Sequence, residues 1–122
     1  MVLPLLVPVT KVFSRKFGSY RGYDSAGLAG ISEGKILYCK QVGKIRNLEE
    51  AWAPPTKMGI AIAHTRWATH GGVTVENSHP HMSNNKEIVV VHNGIVENFQ
   101  ELSLMLKEEG YKFESQTDTE II

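Results

Sequence analysis

The run Glu87-Ile88-Val89-Val90-Val91-His92 constrains this chain more than any other stretch. Its β-branched residues fall on successive positions, so both faces of the strand it predicts are apolar. That is the pattern of a strand covered on both sides. It runs into Asn93-Gly94, a turn dipeptide. Asn98 then predicts a helix start, with Glu101 three residues on as an Asn version of the capping box. Phe99, Leu102, Met105 and Leu106 give that helix an apolar stripe, and Gly110 gives it a stop. Tyr111 to Ser115 is a further strand expectation. Thr117 to Glu120 reads as a second capping box, with Ile121 and Ile122 opening an apolar face.

Upstream, Met58 to Ala63 is a short apolar run that reads as a buried strand. It is expected to deliver His64-Thr65-Arg66-Trp67-Ala68-Thr69-His70-Gly71 onto one loop, closed by Gly71-Gly72. Arginine suits carboxylate recognition because its planar donors grip both oxygens at once. Loops placed by a strand are common homes for binding residues. Arg21 to Gly27, with glycines bracketing polar residues, also reads as a loop. Leu28–Ser32 and Lys35–Lys40 predict a hairpin around Glu33-Gly34, with Cys39 packed inertly in its second strand. Asn47 to Trp52 predicts a short helix, Asn47 as its cap and Glu49 and Glu50 in its first turn, ended by Pro54-Pro55. Val9, Val12, Phe13, Phe17 and Tyr20 recur at helical spacing and predict a short amphipathic helix near the start. Val73 to Asn85 is polar, irregular and contains His79-Pro80-His81.

A chain of 122 residues is one domain or part of one. Lys+Arg and Asp+Glu are both 13, so net charge offers no electrostatic case for nucleic acid or an anionic membrane. Cys39 is the single cysteine, which excludes an intrachain disulfide and fits a reducing compartment. No apolar run approaches the ~20 residues that span a bilayer. Met1 to Phe17 lacks the basic start and cleavage site of a signal peptide, so a cytoplasmic location is expected. The five histidines, His64, His70, His79, His81 and His92, match no standard zinc spacing, and neither a metal nor a cofactor is expected.

Four motifs in order carry a resemblance: RGYDSAG (21–27), AIAHTRWATHG (61–71), VVVHNGIVEN (89–98) and TDTE (117–120). Together they closely resemble the glutaminase domain of the glucosamine-6-phosphate synthases, a class II glutamine amidotransferase domain. The resemblance implies an α+β fold of the N-terminal nucleophile hydrolase type: an αββα sandwich of two antiparallel sheets between helices. It implies a partial domain over 21–122, preceded by an atypical segment over 1–20, and a chain incomplete at both ends.

The resemblance also implies chemistry. In the family an N-terminal cysteine attacks the glutamine side-chain amide, with its own α-amino group as base. Ammonia is then passed to a sugar-isomerase domain that converts fructose 6-phosphate to glucosamine 6-phosphate. Carried over by motif, Arg66 grips the substrate α-carboxylate and Asp118 the α-ammonium. Thr69 and His70 line the same pocket. Asn93 and Gly94 form the oxyanion hole. Trp67 gates the ammonia path, and Arg21 supports the nucleophile end. L-glutamine and the isomerase domain are the implied partners, and a homodimer is compatible with the full-length enzyme.

The family begins Cys-Gly-Ile-Val-Gly after its initiator methionine, whereas this sequence begins Met1-Val2-Leu3-Pro4. Cys39 lies mid-strand with no adjacent α-amine to activate it. The expectation is therefore a pocket that holds glutamine but, as this isolated chain, does not cut it. The alternative is an inactive glutamine-binding or interaction module.

Overall fold

The computed structural model describes residues 2–4, 23–52, 58–68 and 71–122. Within them lie β1 (Val2–Pro4), β2 (Ser25–Ser32), β3 (Lys35–Val42), α1 (Ile45–Ala51), β4 (Ile60–Arg66), β5 (His81–Met82), β6 (Val89–Val90), α2 (Phe99–Glu108) and a 3-10 turn at Asp118–Ile121. The chain is α+β. Four strands form an antiparallel sheet in the order β1-β4-β2-β3, and β5 and β6 form a second antiparallel pair. The expected helix over Val9–Tyr20 and the Pro54-Pro55 stop lie outside the described residues.

The hairpin forms where expected. Glu33 and Gly34 both take positive φ, 50° and 73°, as a two-residue turn matched to strand twist requires. Pairing then runs unbroken from Ser32↔Lys35 to Ser25↔Val42. Both strands are longer than expected, and Ser25-Ala26-Gly27 is strand rather than loop. The reason is non-local. Ser25 is wholly buried between Val42 and Arg66, its neighbours on either side. A Cβ at Gly27 would stand 1.8 Å from the His79 carbonyl oxygen, so these small residues serve close approach.

β4 also outruns its expectation and takes in His64, Thr65 and Arg66. Its alternation sends Ala61 and Ala63 into the apolar core with Ala26, Leu28, Ile45, Leu48 and Met58. The period of two sends His64 and Arg66 to the opposite face. α1 covers the core face, and the Ser78–His81 segment crosses the other.

α1 begins two residues before Asn47, with Lys44 at its cap position and no side-chain cap bond. The Tyr23 hydroxyl accepts from the Ile45 N–H at 3.0 Å and does that work from outside the helix. Asn47 instead donates to the Val42 carbonyl at 3.0 Å, and no acidic residue sits in the first turn.

The Glu87–His92 expectation shrinks to two strand residues. Among the described residues β6 pairs only with β5, and Ile88 is 66% exposed. Strand propensity without pairing partners on both sides does not make a central strand.

α2 spans the expected stripe, but Asn98 makes no side-chain cap bond. Its end is a Schellman motif: Gly110, at φ 95°, donates to Lys107 and Tyr111 donates to Leu106. Tyr111–Ser115 is irregular rather than strand. The Thr117 capping box does not form either. Glu120 reaches back to the N–H groups of Glu114 and Ser115, at 2.8 and 2.7 Å, and to the Ser115 hydroxyl.

Candidate functional site

β4 ends at the mouth of a cavity of about 350 Å³. Arg66, Trp67, Asn93, Gly94 and Asp118 all line it. Arg21, Thr69 and His70 lie outside the described residues. The histidine-rich stretch reaches the cavity as strand rather than loop, and pairing with β2 fixes Arg66 opposite Ser25.

Arg66 is 5% exposed, and its Nη1 donates to the Gly72 carbonyl at 2.9 Å. Asn77 shares that carbonyl through its own amide at 2.9 Å and accepts the Gln116 N–H at 2.8 Å. One buried asparagine thus ties the turn beside Arg66 to the segment that precedes Asp118. Trp67 is 69% exposed at the rim. The backbone after it is held by Asp24, whose Oδ2 accepts the Ala68 N–H at 2.5 Å and whose Oδ1 accepts from Ser25 at 3.1 Å. Asp118 accepts the Val96 N–H through Oδ2 at 2.6 Å. A carboxylate has two oxygens, so it can serve the loop and a ligand together.

Beside these groups lies a stack of imidazoles, of which His64 and His79 also line the cavity. His64 and His79 are face to face with ring centroids 4.1 Å apart, and His79 meets the edge of His81 at 4.7 Å. His64 Nε2 lies 2.5 Å from Asn93 Oδ1. His79 Nδ1 accepts the His92 N–H at 3.4 Å, and His81 Nε2 pairs with the Thr117 hydroxyl at 2.8 Å. Burial pushes all three rings below the ordinary histidine value, His79 to about 3 and His81 to about 4. For His79 the charge of neighbouring His64 adds to burial, and for His81 that of Lys40 does. All three are therefore neutral near pH 7. Among the described residues, no three His, Cys, Asp or Glu side chains are grouped to hold a metal ion.

Sequence reasoning assigned no part in the site to Asp24, His64, Asn77, His79 or Thr117. Three of them sit inside the quoted motifs: Asp24 in RGYDSAG, His64 in HTRWATHG and Thr117 in TDTE. Cys39 pairs with Leu28 and packs on the core face, away from this cavity, and burial pushes its thiol up. No helix among the described residues is long and apolar enough to cross a membrane.

The cavity's opposed charges, one guanidinium and one carboxylate, fit the two ends of a free amino acid. The family described as glutamine amidotransferase domain matches residues 49–122. The chain is 57% identical over 104 residues to glutamine–fructose-6-phosphate aminotransferase [isomerizing] of Aquifex aeolicus, covering 84% of this chain and 18% of that protein. The proteins of the same name from Clostridium perfringens and Pseudomonas aeruginosa are 54% and 55% identical, again over 84% of this chain and 17% of each. The chain thus spans less than a fifth of the length of the curated relatives it matches. With the family match running across more than half of the sequence, the chain belongs to the glutamine amidotransferase domain family.

Proposed function

We propose that this chain is the glutamine-binding part of an amidotransferase that supplies ammonia to the amination of fructose 6-phosphate. The relatives' printed name joins those two substrates. The observation that carries the reading is the shared cavity wall of Arg66, Asn93, Gly94 and Asp118. Arg66 holds the α-carboxylate and Asp118 the α-ammonium, which selects an α-amino acid by its two charges. The Asn93 amide and the Gly94 N–H then face the side-chain carbonyl and stabilise negative charge on its oxygen, each worth roughly 10²–10³ in rate. Thr69 and His70 complete the ligand wall, Trp67 gates the departing ammonia, and Arg21 supports the nucleophile end. The nucleophile in such domains is an N-terminal cysteine thiolate. It attacks the amide carbon, the C–N bond breaks as ammonia leaves, and water releases glutamate from the thioester. The two antiparallel sheets are read as part of an αββα sandwich of the N-terminal nucleophile type. Residues 21–122 form the amidotransferase unit, 1–20 a separate segment, and a sugar-isomerase domain is the partner that takes the ammonia.

Titration calorimetry of the chain with L-glutamine tests this. Saturable binding is expected, weaker by at least about tenfold in Arg66→Ala, since a charge-assisted hydrogen bond is worth ~1.5–3 kcal/mol. No binding, or binding indifferent to Arg66, refutes the reading. Ammonia release on binding would exclude the inactive-module alternative.

A further inference from the structure

A side-chain amide at an oxyanion site helps only when its nitrogen faces the ligand; turned over, its oxygen repels the developing charge. Asn93 is exposed to the cavity, so its own packing does not decide between the two. The contact that does decide is His64 Nε2, 2.5 Å from Asn93 Oδ1.

His64 carries one N–H when neutral, and burial keeps it neutral. Its Nδ1 is buried with no hydrogen-bond partner among the described residues. A proton on Nδ1 would bury an unpaired donor, at a cost of about 1–3 kcal/mol. A proton on Nε2 leaves only a lone pair unpaired at Nδ1, the less costly omission, and gives Asn93 Oδ1 a donor. The ring cannot swing away from this contact, because it is 9% exposed and stacked on His79.

We propose that His64 is the positioning residue that locks the Asn93 carboxamide with its oxygen toward the protein and its Nδ2 hydrogens toward the ligand. The proposal rests on the glutamine reading of the cavity. His64 itself borders the cavity, and the role assigned to it is exerted through Asn93. Donation from Nε2 into Oδ1 also polarises the amide, which strengthens the N–H groups it presents.

The test compares two ligands on the full chain. L-glutamate places a formally negative oxygen where L-glutamine places a neutral carbonyl, so it reads the amide's orientation more strongly. His64→Phe keeps a ring against His79 and removes the donor. The expected result is a loss of affinity about tenfold greater for L-glutamate than for L-glutamine, the difference between a charged and a neutral hydrogen bond. Equal losses for the two ligands overturn the proposal. Nitrogen-15 NMR of the unsubstituted chain supplies an arm that does not depend on the variant folding. The Nε2–H tautomer is expected at His64, and the Nδ1–H tautomer overturns the proposal. If the unsubstituted chain binds neither ligand, the glutamine reading itself fails, while the tautomer still reports on the His64–Asn93 contact.

Discussion

Lowering the pH from 8 to 5 should destabilise this chain through two rings in its interior. Burial holds His79 at about 3 and His81 at about 4, both below the unfolded histidine value of about 6.5. Below pH 6.5 the unfolded chain therefore binds protons that the folded chain refuses. Stability from these groups is complete above that value and is lost progressively as pH falls toward the folded values. At pH 5 the difference in proton binding amounts to about 2 kcal/mol for each ring. The rings are 4.7 Å apart and share part of that penalty. The pair together loses about 2–4 kcal/mol, a large part of the 5–15 kcal/mol typical of a whole domain. Urea unfolding followed by tryptophan fluorescence at pH 8, 7, 6 and 5 measures it. The midpoint should fall by about 1–2 M across the range, given a slope of about 1–3 kcal/mol per molar urea. Carboxylates titrate mostly below this window, so they do not imitate the effect. An unfolding free energy unchanged between pH 7 and pH 5 would show that these imidazoles do not sit in the environment described.

Other substitutions probe the frame around the cavity. Gly27→Ala drives a Cβ to 1.8 Å from the His79 carbonyl oxygen. It should destabilise by at least about 3 kcal/mol and lower the melting temperature accordingly; a loss under about 0.5 kcal/mol would refute the close approach of strand and crossing segment. Asn77→Ala removes the bonds that this buried side chain makes to the Gly72 carbonyl and the Gln116 N–H, for an expected loss of about 1–2 kcal/mol by chemical denaturation. The Cys39 thiol is pushed up by burial, so alkylation by iodoacetamide at pH 7 should run slower than for a small free thiol, and a faster rate would contradict its packing against the core.

What the sequence disclosed follows a physical division. The hairpin around Glu33-Gly34 and the helix stop at Gly110 were legible because both depend on backbone conformations that a few adjacent residues dictate. The limits of β2 and β4 were not. Ser25 to Gly27 resemble loop punctuation, and their smallness makes sense only once the His79 carbonyl lies against them. The start of α1 was hidden for a similar reason: its first N–H is met by Tyr23, 22 residues away, while Asn47 is occupied with Val42. The apolar run at Glu87–His92 promised a longer strand than it forms, since pairing rather than composition decides strand length. Within the site, Arg66, Trp67, Asn93, Gly94 and Asp118 were marked by motif order and share one cavity. The imidazole stack was visible only as scattered histidines, because ring-on-ring contact between His64 and His79 depends on a chain crossing that no local spacing encodes.

The bond from the Val96 N–H to Asp118 has a consequence for selectivity. The carboxylate assigned to the amino end of the ligand is also an anchor of the loop that carries Asn93 and Gly94. A simple amide lacking the α-amino group would leave that anchor without its cationic mate and the loop less firmly held. On the proposed reading, such truncated compounds should lose more affinity than one missing ionic contact accounts for, because recognition at one end of the molecule sets the stiffness of the groups facing the other.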